Sequence, residues 1–354
     1  MQKIPCTFMR SGTSRGPYID LRDLPKDTAE RDKVLLKIMG SPDKKQIDGL
    51  GGATFVTSKV VLLQPSEREG IDVDYLFAQV VIDQPIVDTT PTCGNMMAGV
   101  GPYAIEQGWV KATHPQTSVQ VYNFNTDSTI EVIAQTPNGE VNYTDGDLQI
   151  HGVPGVGSPI IMNFSNIEGG ATGKLFPTGN IRDNIDGVDI TVIDIGNLMM
   201  LVKATDLGLT GYEVAPFFAN NKDFMQRIET TRRKAGLLAG LGDVSDKVLP
   251  KIGILAPPRE GGTIASRYLT PKTLHPSHAV TGAICIAAAS KCKGTVAADI
   301  AEATDAAAER ILIEHPCGFI PVEIEVDTAS AEFKVVKAGT LRTARKIMDG
   351  FVYY

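Results

Sequence analysis

The chain has 354 residues, of which 43% are apolar and 21% charged, with 35 glycines and 21 prolines. That is ordinary globular composition with many turns, and enough chain for two domains with real cores. The formal charge of −7 and the absence of a long basic run argue against a nucleic-acid partner. No apolar stretch approaches the length that spans a bilayer, and the opening MQKIPCTFMR lacks the apolar core of a secretory signal. Five widely spread cysteines form no CxxC pair, which points to a reducing cytoplasm rather than a disulfide framework. The five histidines are scattered as well, so no metal site is expected.

In chain order, residues 6–9 read as a short strand running into the polar loop Arg10-Ser-Gly-Thr-Ser-Arg-Gly16, with a second strand at 18–21. Residues 29–39 have helical spacing, with Val34, Leu35, Ile38 and Met39 on one face, and Gly40-Ser-Pro42 stops the helix. The glycine-rich loop Asp48-Gly-Leu-Gly-Gly52 follows. Thr57-Ser58-Lys59 then opens a strand at 60–63, and 73–82 is another strand. After Asp88-Thr-Thr-Pro-Thr-Cys93-Gly94-Asn95, residues 96–107 are small and apolar and predict a buried helix. Residues 119–124 and 129–134 read as a hairpin.

The second half repeats this order. Strand, glycine turn and strand recur at 191–194, Gly196-Asn197 and 198–202, and Lys59-Val-Val-Leu-Leu-Gln-Pro65 has a counterpart in Lys251-Ile-Gly-Ile-Leu-Ala-Pro257. The buried small-residue helix recurs at 279–290, and the hairpin at 311–314 and 322–326. Gly12 to Gly196 is 196 − 12 = 184 residues, and Cys93 to Ser277 is 277 − 93 = 184. Lys59 to Lys251 is 251 − 59 = 192, which needs an insertion. The expectation is an internal duplication: an α+β chain of two pseudo-symmetric domains, each with strands wrapped around a central apolar helix. The boundaries expected are 1–183, with 342–354 returning to it, and 184–341.

Chemistry concentrates at a few places. Cys93 precedes the first central helix, whose dipole would favour a thiolate. Gly94 and Asn95 would offer backbone N–H groups to a carboxylate or enolate oxygen. The alternative for Cys93 is a buried cysteine packing as a small apolar residue. Lys59 is either a solvated edge lysine or, drawn into a cleft, a base. Arg10, Ser11, Gly12, Thr13 and Ser14 could bind an anion, or form a solvated turn; the loop is not a P-loop, and residues 48–52 are not a dinucleotide fingerprint. His275, Ser277 and His278 precede the second central helix, with Ser277 in the place of Cys93. Arg267 could pair with a carboxylate in a bidentate way. Capping and structural histidines are the alternative there.

Together these motifs resemble the PrpF family, the group of methylaconitate isomerases and 4-oxalomesaconate tautomerases. The matching stretches are Ile4-Pro-Cys-Thr-Phe-Met-Arg-Ser-Gly-Thr-Ser-Arg-Gly16, Gln46-Ile-Asp-Gly-Leu-Gly-Gly52, Thr57-Ser-Lys59, Asp72-Val-Asp-Tyr-Leu-Phe-Ala-Gln79 and Cys93-Gly-Asn-Met-Met-Ala-Gly-Val-Gly101. Further matches are Ile150-His-Gly-Val-Pro-Gly155, Phe176-Pro-Thr-Gly-Asn180, Leu241-Gly-Asp-Val-Ser245, Glu314-His-Pro316 and Leu341-Arg-Thr-Ala-Arg345. The resemblance implies the diaminopimelate epimerase-like fold with its active site between two domains. It also implies proton transfer without a cofactor, and Cys93 and Lys59 as the catalytic pair. Ser58, Arg10 to Ser14, Gly94, Asn95, Arg267, His275, Ser277 and His278 become the expected substrate-binding set. The expected substrate is a small unsaturated di- or tricarboxylate, with the motif wording closer to the oxalomesaconate side and a homodimer as the assembly to test. Epimerases of this fold use one cysteine per domain, so Ser277 puts a two-thiol racemase in doubt. A noncatalytic carboxylate-binding protein is the remaining rival.

Overall fold

The computed structural model describes residues 2–165, 167–302, 310–327 and 333–354. The chain forms two compact units, Met1–Asn163 with Leu341–Tyr354, and Phe164–Thr340. The boundary expected from sequence is at 183/184, whereas the contacts divide the chain after Asn163.

In the first unit, β1 (Lys3–Ser11) and β2 (Ser14–Asp20) form an antiparallel hairpin. Helix α1 (Thr28–Met39) follows, and Asp27 caps it by accepting the Glu30 N–H. It ends on Gly40 in the left-handed region, φ 77°, and buries Val34, Leu35, Ile38 and Met39, the face expected from their spacing. Strand β3 (Lys59–Pro65) lies parallel to β2, and β4 (Val73–Val80) antiparallel to β3. The short β5 (Val87–Asp88) pairs with β4.

The first central helix comes in two pieces, α2 (Gly94–Met97) and α3 (Val100–Glu106), where a single helix over 96–107 is expected. The chain keeps helical dihedrals through Ala98 and Gly99. Pro102 has no N–H to give the Ala98 carbonyl, so the ladder is interrupted there. Strand β6 (Gln116–Asn123) pairs parallel to β4 and antiparallel to β7 (Ser128–Gln135). Strand β8 (Ile160–Ser165) carries the chain across the boundary.

The second unit repeats the plan. Strand β9 (Asp183–Ile185) pairs with β10 (Val188–Ile195), and β10 with β11 (Asn197–Lys203) is again an antiparallel hairpin. Its turn at Gly196 has φ 64°, matching Gly12 at 53°. Helices α4 (Ala215–Asn220) and α5 (Lys222–Leu238) occupy the place of α1. Strand β12 (Lys251–Ala256) is parallel to β11, and β13 (Ile264–Leu269) antiparallel to β12. Helix α6 (Val280–Lys291) buries every residue from Val280 to Ser290, as a helix apolar on all sides must. It packs against β10, β11, β14 (Arg310–His315) and β15 (Gly318–Asp327). Strand β14 is parallel to β13; β15 and then β16 (Lys334–Arg342) continue antiparallel. The last strand, β17 (Ala344–Tyr353), returns to the first unit and pairs with β1 along its length.

The order antiparallel, parallel, antiparallel, parallel, antiparallel therefore runs twice, with the central helix in the same place each time. None of the helices among the described residues is long and apolar enough to cross a membrane.

Candidate functional site

Lys59 opens β3 opposite Gln79 of β4. The strand pairing lays the two side chains together, and Nζ donates to the Gln79 Oε1 at 2.7 Å. Gln79 is itself anchored, since its Nε2 donates to the carbonyls of Ser58 and Phe55 at 2.8 and 3.2 Å. The ammonium also faces two rings, with Phe55 at 4.2 Å and Phe77 at 4.9 Å from their centroids. Lys59 is 3% exposed. Desolvation of a lysine costs several kcal/mol, and the rings and carbonyl return part of that, about 2 kcal/mol for a desolvated cation–π contact. Burial holds the Lys59 amine below the usual lysine range, while the Cys93 thiol within hydrogen-bond reach opposes that shift.

Cys93 is half-buried and caps α2 with its backbone, its carbonyl accepting the Met97 N–H at 3.0 Å and the Tyr75 hydroxyl at 3.1 Å. Tyr75 is buried, which pushes its phenol well above the usual range, so it remains a donor. Thr92 is tied to Asn123 at 2.9 Å. The segment around the thiol is thus fixed from β4 and β6. With only four residues in α2, the positioning of Cys93 comes more from these contacts than from a long dipole.

The β1–β2 turn packs against the same helix start. Gly12 has φ 53°, and a Cβ there would lie 2.2 Å from the Asn95 Oδ1, so only glycine fits. Ser11 Oγ donates to the Asn95 carbonyl at 2.6 Å, and the Thr13 N–H to Asn95 Oδ1 at 3.3 Å. Arg10 Nη1 donates to the Thr343 carbonyl and, at 2.8 Å, to its hydroxyl. Burial pushes the Arg10 guanidinium down to about 10. Gly94 and Asn95 are buried at the start of α2. Arg10, Ser11, Gly12, Thr13, Gly94 and Asn95 are therefore brought to one locality. Ser58 is adjacent in sequence to Lys59, but its hydroxyl is fully buried. It donates to the Val80 carbonyl at 2.8 Å and accepts from Gln46 at 2.7 Å.

In the second unit, His275 Nδ1 accepts the Ser277 N–H at 3.1 Å, with the Ser277 hydroxyl at 3.5 Å. His278 lies between Ser266 Oγ, 3.1 Å from Nε2, and the Ala279 carbonyl, 2.9 Å from Nδ1. These bonds assign the proton of His278 to Nδ1 and leave Nδ1 of His275 as an acceptor. Arg267 donates to the backbone carbonyls of Glu213 at 2.9 Å and Ser266 at 3.1 Å. It lies 5.5 Å from the Tyr212 ring.

Sequence reading passed over Gln79, Phe55, Phe77 and Tyr75. The available signal was the matching stretch Asp72 to Gln79, which holds Tyr75, Phe77 and Gln79 but assigns them no role.

A profile of the PrpF protein family matches residues 1–354. The chain is 45% identical to (4E)-oxalomesaconate Delta-isomerase of Novosphingobium sp. (strain KA1), covering 100% of this chain and 98% of that one. Among solved structures, a methylitaconate-delta-isomerase superposes with a TM-score of 0.81 at 36% identity, over 99% of this chain and 95% of that one. A hydroxyproline epimerase from Agrobacterium vitis, with TM-score 0.59 and 12% identity over 99% and 92% of the two chains, shares the fold alone. The fold is thus the diaminopimelate epimerase-like one. The chain belongs to the PrpF protein family and is an isomerase.

Proposed function

We propose that this chain is a cofactor-independent isomerase that moves a proton across an allylic or keto–enol unit of a small unsaturated polycarboxylate, of the 4-oxalomesaconate type. The observation that carries the reading is the buried Lys59 ammonium site, closed by Gln79, Phe55 and Phe77 and open toward Cys93. The 45% identity to an oxalomesaconate isomerase, against 38% to a 3-methylitaconate isomerase, favours the oxalomesaconate class. The five cysteines, none in a disulfide, accord with a reducing cytoplasm.

The two rings and the Gln79 carbonyl oxygen all favour a positive charge on Nζ. The pair then works as ammonium and thiolate. The Cys93 thiolate takes the carbon-bound proton and becomes a thiol. The charge left behind delocalises through the conjugated system onto an oxygen, where the Gly94 N–H at the start of α2 can meet it. Lys59 gives its proton to the far carbon and becomes an amine, and the thiol returns a proton to the amine. Protons balance over the cycle, and no oxidant or reductant enters. Arg10 and the turn Ser11 to Ser14 supply donors for substrate carboxylates.

The test is proton NMR in D2O with 4-oxalomesaconate and 2-methylaconitate. Label should enter at a single allylic or keto-adjacent carbon, and only the former should turn over rapidly. A thiolate band near 240 nm in the free enzyme should vanish in both Cys93→Ala and Lys59→Met. Unchanged exchange in Lys59→Met would remove lysine from the mechanism.

A further inference from the structure

Arg342 belongs to a motif, Leu341-Arg-Thr-Ala-Arg345, that the mechanism does not use. It is 4% exposed, nearly as buried as Arg232 in the second unit at 0%. The two are held very differently. Arg232 meets the Glu229 carboxylate through Nε at 2.6 Å and Nη2 at 2.7 Å, and the Leu249 and Val244 carbonyls at 2.7 Å each. Its charge is matched and its donors are used. Arg342 donates Nε to Asn95 Oδ1 at 3.1 Å and Nη1 to its neighbour's Leu341 carbonyl at 2.8 Å, and Nη2 makes no hydrogen bond. Burial alone pushes it down to about 10, with no nearby charge to offset that.

The surroundings are short of acceptors. Arg10, whose guanidinium bonds Thr343, likewise has no acid partner among the described residues. The buried Ser14 hydroxyl has no partner, nor do Thr13 Oγ1 and Arg15 Nε. A buried cation and a half-buried one without an acid, with three unpaired donors in the turn that shares Asn95 with Arg342, is an arrangement that folding alone opposes. Asn95 ties it to the site: one Oδ1 accepts from both Arg342 and the Thr13 N–H, two residues after Cys93.

The geometry points to a carboxylate subsite in the first unit, built on Arg342 with Arg10, Thr13 and Ser14, that takes a carboxyl group not involved in the proton shift and so selects a tricarboxylate over a dicarboxylate. This rests on the polycarboxylate reading above. A planar guanidinium with a spare Nη2 suits a carboxylate fork.

The experiment measures binding, not turnover, by titration calorimetry with propane-1,2,3-tricarboxylate, pentanedioate and inorganic phosphate. Wild type should bind the tricarboxylate about tenfold or more tighter than the dicarboxylate, and Arg342→Gln should abolish that preference while leaving dicarboxylate affinity in place. If Arg342→Gln does not fold, Arg342→Lys, which keeps charge and loses the fork, should still lower the preference severalfold. Three results would overturn the subsite: no tricarboxylate preference in wild type, an equal loss for both ligands, or an unchanged preference in the Arg342 variants. Phosphate binding as tightly as the tricarboxylate, with the same dependence on Arg342, would also overturn it in favour of a general anion site. Lys59→Met separates the two claims: it should lose turnover and keep the tricarboxylate preference. Retained turnover there would sink the catalytic reading and leave the subsite standing.

Discussion

The two units share strand order, hairpin turn and central helix, yet differ in what stands at equivalent points. Each has a buried lysine at the start of its third long strand, Lys59 and Lys251. Before its central helix the first unit has a half-buried thiol, and the second has Ser277 beside two histidines. The helices differ as well, one interrupted at Pro102 and the other continuous and buried throughout. A duplicated scaffold thus fixes where a side chain can stand, and its immediate neighbours decide whether it can do chemistry. Around Lys59 those neighbours are Gln79, Phe55 and Phe77.

The comparison breaks most sharply at the paired positions. Cys93→Ala and Lys59→Met should each lower kcat by about a hundred- to ten-thousand-fold, the range of a lost general acid or base. Lys251→Met should leave kcat near wild type; an equal loss there in steady-state assays would make the site symmetric. The next effect is on binding. If Ser277 binds substrate, as the family resemblance implies, Ser277→Ala should raise KM about tenfold or less with kcat largely kept, the pattern of a lost ground-state contact. A collapse of kcat instead would revive the two-sided racemase reading.

Gln79→Glu tests the environment of the lysine. Burial depresses the Lys59 amine, so the ammonium is lost, and activity falls, below the usual lysine range. A carboxylate at 79 favours the ammonium, so the alkaline limb of the pH–rate profile should move to higher pH. Movement the other way would mean that the neutral amine is the working form. The smallest effect is in packing: a Cβ at Gly282 would sit 2.4 Å from the Tyr268 ring, so Gly282→Ala should cost about 1–3 kcal/mol in denaturant unfolding.

Much of the fold was legible. The buried face of α1, the two small-residue helices and the repeated turns at Gly12 and Gly196 came from periodicity and offsets, because each is a local pattern. Helix α5 was not seen: its sequence, KDFMQRIETTRRKAGLL, is largely polar, and Arg232 in it is buried through partners up to 17 residues away. The interruption at Pro102 was in plain view, but the small-residue composition outweighed it. In the site, family motifs brought forward Lys59 and Cys93. The wall around Lys59 escaped because it depends on strand register, Lys59 opposite Gln79, which no local pattern reveals. Ser58 shows the reverse error, a hydroxyl beside the lysine that is spent on Val80 and Gln46.

The return of β17 to β1 has a consequence during protein synthesis. Every strand of the first unit except β17 leaves the ribosome before the second unit begins, yet β1 lacks one of its two neighbours until residues 344–353 have been made. The nascent first unit must wait, with an open sheet edge, while some 180 intervening residues emerge, a window in which chaperones are most needed. A premature stop anywhere in the second unit would leave that edge open for good. It would also remove Arg342, so truncated chains would be both sticky and unable to hold their substrate as proposed.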